Sequence, residues 1–174
     1  MAILTLVGNP RAGSRTHDAA VAATAALAER LGDPARTGEV VDLAALASVL
    51  LAPTPSSPLE VALELVNTSD VLVVASPTYK GTYTGLLKAF LDRLPSGALA
   101  GKAAVPLLVM GAPQHALAVE VHFRPLLVEL GAYVPTPGLA LLESQLADLD
   151  AVLGPWADKV APQVAAALRS EVRA

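Results

Sequence analysis

VLVVA, residues 71–75, offers no polar position to either side of an extended chain. A strand of that kind is covered on both faces, as in a parallel sheet flanked by helices. ILTLV at residues 3–7 is a second short apolar block, and residues 39–43 and 103–110 read as further strands. AYVPTPGLALL, residues 132–142, supplies a fifth, although its prolines and lack of alternation leave its limits open. Pro106 falls inside the fourth strand, where it has no N–H for the ladder; a bulge, or a strand beginning at Pro106, is the expected remedy.

Helical segments separate these blocks. In residues 16–31, Ala20, Ala23, Ala26 and Leu27 recur about one turn apart, and Gly32 ends the run. Residues 58–68 place Leu59, Ala62, Leu63 and Val66 on one face, and residues 83–93, 116–130 and 150–172 continue the alternation. Strand–helix alternation with buried strands predicts an α/β fold: a doubly wound five-stranded parallel sheet with helices on both faces. The 174 residues suit one domain, residues 1–174, with ligands expected beyond the carboxyl ends of the strands near the reversal of strand order.

GNPRAGSRT, residues 8–16, lies between the first strand and the first helix. Unpaired N–H groups and the helix dipole attract phosphate there. Arg11 can add a charge-assisted contact, Ser14 and Thr16 carry hydroxyls, and Gly13 permits a turn that a side chain would obstruct. The alternative is an ordinary helix start, with Ser14 or Thr16 as cap and Arg11 in solvent. Neither the P-loop pattern nor the dinucleotide G-x-G-x-x-G is present.

SPTYKGTYTGLLKAFLDRLP, residues 76–95, follows the third strand and holds Tyr79 and Tyr83, two of only six aromatic residues in the chain. Aromatic rings beside backbone at a strand end suit a flat conjugated ligand; the alternative is that they cover the loop or an interface.

A formal net charge of −4, without a basic run, argues against a nucleic-acid partner. The absence of cysteine excludes thiolate chemistry and suits a reducing cytoplasm. No signal peptide or bilayer-length apolar run is expected. His115 and His122 lack a third ligand, so no metal site is expected. Asp148 and Asp150 read as caps, His17 as surface, and Trp156 as packing or an oligomer contact. Ser14 has no histidine–carboxylate partner, which argues against a hydrolase.

GNPRAGSRT, ASPTYKGTYTGLLKAFLDRLP and GKAAVPLLVMGAPQHALAVEVHFRPLLVELGA together resemble, in order and rough spacing, the NAD(P)H-dependent FMN reductases, and within them the reductase components of two-component monooxygenases. The resemblance covers residues 1 to about 135. It implies a flavodoxin-like sheet in the order 2-1-3-4-5, with FMN and NAD(P)H as ligands. Arg11, Ser14 and Thr16 match the family's phosphate loop, with Asn9 in place of its serine. Pro77, Thr78, Tyr79 and Lys80 match the segment around the isoalloxazine, and Gly81 falls in its turn. Gly111-Ala112 stands where many relatives have Gly-Gly, and a β-carbon at residue 112 is expected to crowd the ring edge or alter nicotinamide access. Lys80 reads equally as a cofactor contact or a solvated lysine.

The implied activity is NAD(P)H:FMN oxidoreduction supplying reduced flavin to a monooxygenase, with no catalytic side chain because the cofactors carry the chemistry. Relatives that hold FMN and reduce quinones, azo dyes or chromate give one alternative. A flavodoxin-type electron carrier gives another, although such carriers are usually far more acidic. A degenerate member that only binds is a further alternative, with Asn9 and Ala112 as signs of lost flavin affinity. The resemblance also implies a homodimer or homotetramer.

Overall fold

β1 (Ile3–Val7), β3 (Val71–Pro77) and β4 (Ala103–Met110) are buried at every position. In the computed structural model, which describes residues 1–32 and 38–171, they form the middle of one five-stranded parallel sheet ordered β2-β1-β3-β4-β5. β2 (Val40–Asp42) and β5 (Leu139–Leu142) are the short edges. The expected α/β, flavodoxin-like order is the one observed.

The pleat sends alternate side chains to two helical layers. Leu4, Leu6, Leu72, Val74, Ala104 and Leu108 pack on the side of α2 (Ser57–Thr68), α3 (Gly85–Leu91) and α4 (Arg124–Glu129). Ile3, Val73, Val105 and Leu107 pack on the side of α1 (Arg15–Arg30) and α5 (Leu149–Glu171). Each fully buried Leu or Val contributes about 1.5–3 kcal/mol over an exposed one. α1 approaches closely because its inner face is small: Ala19, Ala20 and Ala23 meet the sheet. Thr5 and Thr24 join hydroxyls at 2.7 Å across that contact, satisfying two buried polar groups.

Several limits differ from expectation. β2 stops at Asp42 because the Asp42 carboxylate accepts from Ala44 N–H and caps a 3-10 turn at Leu43–Leu46. α3 begins at Gly85, not at residue 83, because Thr84 is its cap. A 3-10 turn at Pro113–His115 precedes the expected helix over residues 116–130, which is itself divided into a π segment at Val119–Phe123 and then α4. Pro125 accounts for the π segment. It offers no N–H to the Val121 carbonyl and its ring crowds that oxygen, so the coil widens, and Arg124 N–H bonds Val119 five residues back. α5 contains Pro155 and Pro162 and is described to Glu171; residue 172 lies outside the described residues.

Pro106 needs neither of the expected remedies. β4 starts three residues earlier and pairs with β3 without a bulge, Pro106 opposite Val74. Ala104 N–H donates to Tyr133 on the β5 side, and strand alternation points the Pro106 nitrogen the same way. Pairing with β5 begins only at Leu107 opposite Leu139, so the missing donor faces a gap in the ladder.

Candidate functional site

The chain leaves β1 at Gly8, whose N–H still donates to the Ala75 carbonyl at 2.8 Å. A β-carbon at Gly8 would stand 2.6 Å from Leu87 Cβ, so only glycine lets the loop lie on α3. Asn9 is 6% exposed and braces the loop with both ends of its amide. Its Oδ1 accepts from Arg11 N–H at 2.9 Å, and its Nδ2 donates to Thr16 Oγ1 at 3.1 Å. Ser14 caps α1, accepting from His17 N–H at 3.2 Å. Gly13 has φ +59°, and a β-carbon there meets nothing within 4 Å. The dihedral therefore selects glycine at residue 13, in place of the expected obstruction.

Two kinds of donor are left facing outward. The Arg11 side chain is exposed, and of the first N–H groups of α1, which have no partner within the helix, Ser14 takes that of His17. Arg15, at the first position of α1, reaches across to Glu143, with Nη2 2.9 Å from Oε1. These groups surround a cavity of about 360 Å³ that Asn9, Ser14, Thr16, Pro77, Tyr79 and Val109 also line. A larger hollow of about 700 Å³, around Met1, Ile3 and Ser69, lies at the amino ends of the strands, away from these loops.

The second loop is held by its own backbone. Thr78 N–H donates to the Val109 carbonyl at 2.8 Å, extending the β3–β4 ladder by one residue. Tyr79 and Thr82 exchange backbone bonds at 2.9 and 3.3 Å around Lys80 (φ 54°) and Gly81 (φ 88°). Positive φ at both central residues is what a type I′ turn requires. Lys80 is the only non-glycine residue with positive φ among those described, which keeps its exposed side chain at the tip of the turn.

Tyr79 is 43% exposed beside the cavity, whereas Tyr83 packs on Phe123 with ring centroids 5.5 Å apart. Thus one tyrosine presents a surface and the other belongs to the core. The Thr78 and Thr82 hydroxyls are buried without a partner among the described residues.

Ser76 and Thr84, which the sequence reading passed over, connect the two loops. Ser76 Oγ accepts from Thr84 N–H and donates to the Pro77 carbonyl, both at 2.9 Å. Thr84 Oγ1 accepts from Leu87 N–H and donates to the Gly8 carbonyl. A threonine just ahead of GLLK is a readable cap signal for Thr84, whereas nothing in the sequence points to Arg15–Glu143. Gly111 is exposed directly after β4, and Ala112 is extended (φ −147°, ψ 142°), opening the turn at Pro113–His115.

The structure therefore brings Asn9, Arg11, Ser14, Thr16, Pro77 and Tyr79 to one cavity. Thr78, Lys80, Gly81, Gly111 and Ala112 stand on the adjoining strand ends, outside its lining. The chemistry fits a phosphorylated flat ring: cationic and N–H donors at one end, unpartnered hydroxyls beside an aromatic at the other. Among the described residues, no cluster of histidine and carboxylates could hold a metal.

A five-stranded parallel sheet in this order places the chain in the flavodoxin-like class of α/β proteins, and comparison with known proteins narrows it. Residues 1–147 match the family described as NADPH-dependent FMN reductase, and the chain belongs to that family. It is 39% identical over 100 residues to an FMN reductase (NADPH) of Escherichia coli, covering 58% of this chain and 52% of that protein. It is 32% identical over 139 residues to the NADH-dependent FMN reductase SfnF of Pseudomonas putida, covering 79% of this chain and 75% of that one. The match thus spans about half the length of the Escherichia coli relative and three-quarters of SfnF. Among solved structures, an apo NADH:FMN oxidoreductase superposes with a TM-score of 0.77 at 33% identity, covering 91% of this chain and 87% of that one.

Proposed function

We propose that this chain is an NAD(P)H:FMN oxidoreductase that takes FMN from solution and returns it reduced. The observation that carries this reading is the joining, through Thr84 and Ser76, of an anion-suited loop to a loop with an exposed tyrosine and two unpartnered hydroxyls. The family and the relatives named as FMN reductases support the same activity.

Arg11, Ser14, Thr16 and the first N–H groups of α1 would hold the phosphate, with Asn9 fixing the loop. Pro77, Thr78, Tyr79, Lys80 and Gly81 would hold one side of the ring, and Gly111 and Ala112 its edge. When bound, FMN supplies the acceptor for the hydride and, with one proton from solvent, leaves as reduced FMN while NAD(P)H becomes NAD(P)+. The residues themselves orient two rings at contact distance and keep water from between them, the main source of rate in such a transfer. No side chain need act as acid or base.

We read residues 1–174 as one flavin-binding domain working in the cytoplasm; among the described residues no helix is long and apolar enough to cross a membrane. Leu117 and Val121 on the segment leading into α4, and Val128 on α4 itself, lie more than half exposed, which supports burial against a second copy of the chain. A monooxygenase that consumes reduced FMN completes the reading.

The test is oxidation of NADH and of NADPH by the purified chain, with and without added FMN, followed at 340 nm. Turnover should saturate with FMN. Absence of turnover, together with a melting temperature and fluorescence indifferent to FMN, overturns the proposal.

A further inference from the structure

We infer that Glu143 weakens the hold on the flavin phosphate and so keeps FMN exchangeable, an inference that rests on the FMN reading above. Glu143 is the first residue after β5 and lines the same cavity as Arg11, Ser14 and Thr16. Its backbone is fixed there, because Leu142 N–H donates to the Gln145 side chain at 2.8 Å. A carboxylate is an unexpected wall for a phosphate site, since a phosphate monoester carries about −1.5 to −2 charge at neutral pH.

Glu143 also occupies Arg15, the cation nearest the helix start, through the 2.9 Å contact between Oε1 and Nη2. Both effects have the same sign. The carboxylate repels the incoming anion, and it neutralises a guanidinium that would otherwise face that anion. With side chains 66% and 47% exposed, the pair is screened, so the effect is moderate and depends on salt. A protein that passes its flavin on gains by such a weakness, because a tightly gripped product would limit turnover.

The test is titration of the wild-type chain, Glu143→Gln, Arg15→Gln and the double variant with FMN and with riboflavin, read by quenching of flavin fluorescence at low and moderate salt. Glu143→Gln should bind FMN about three- to tenfold more tightly, with riboflavin unchanged because it lacks the phosphate. The gain should shrink when Arg15 is also replaced, and it should fall as salt rises. An FMN affinity unchanged or weakened in Glu143→Gln overturns the inference, as does an equal shift for riboflavin. If the wild-type chain binds neither flavin, the FMN reading itself fails and takes this inference with it; wild-type binding with an inert Glu143→Gln removes the inference alone.

Discussion

Two residues of the first loop, two apart in sequence, should fail in different ways. Arg11 is exposed and its guanidinium has no ion pair among the described residues, so Arg11→Ala should leave the melting temperature unchanged. The same change should raise the KM for FMN about tenfold, equivalent to ~1.4 kcal/mol for one charge-assisted contact. Asn9 is the reverse case. Asn9→Ala removes the partners of Arg11 N–H and of the buried Thr16 hydroxyl, and should cost about 1–3 kcal/mol in a denaturant titration as well as weaken FMN. The loop as a candidate anion site was legible because residue types and position both spoke for it. What Asn9 does was not: its departure from the family's serine suggested a lost hydroxyl, and only coordinates show an amide spanning the loop.

At the scale of elements, the cap of α3 serves the loops as much as the helix. Thr84→Val keeps the shape and deletes the hydroxyl that receives Leu87 N–H and bonds Gly8. The expected loss is about 1–2 kcal/mol, read as a lower midpoint in urea, with a higher KM for FMN although Thr84 lines no part of the cavity. Thr84→Ser should recover most of both. The helices of this chain were legible from their apolar spacing, and the central strands from unbroken burial. The π segment was not, because spacing arguments assume 3.6 residues per turn and the effect of Pro125 is felt one turn earlier. The fifth strand was blurred for a related reason, since only Leu139–Leu142 of its eleven-residue stretch joins the ladder continuously.

Over the whole molecule, both helical layers follow from sequence patterning and the strand order from the family resemblance, whereas a long-range tie such as Arg15–Glu143 has no local signature, unlike Arg124–Glu120, whose partners stand four residues apart. The second of these carries a pH dependence. The Arg124 guanidinium, and after it the Gly138 N–H, holds the Glu120 carboxyl below the ordinary carboxylate range against the opposing effect of burial. A depressed folded pKa gives stability that is present above the unfolded value, about 4.3, and lost as pH falls through the folded one. Glu120→Gln should therefore be less stable than the wild-type chain by about 1 kcal/mol at pH 7. The difference should fade below pH 4 in parallel acid titrations followed by circular dichroism; a difference constant across that range would refute the assignment.

The proline in β4 explains why that clamp exists at all. Opposite Pro106 the edge of the sheet has no ladder to offer, and the segment running up to β5 must find partners for its backbone elsewhere. Arg124 takes the carbonyls of Val134 and Thr136, and Glu120 takes the N–H of Gly138. One imino acid on a strand has thus handed the anchoring of a neighbouring strand to a pair of charges on a helix. Acid should loosen that margin before it reaches the centre of the sheet, and the wall bearing Glu143 stands at its far end.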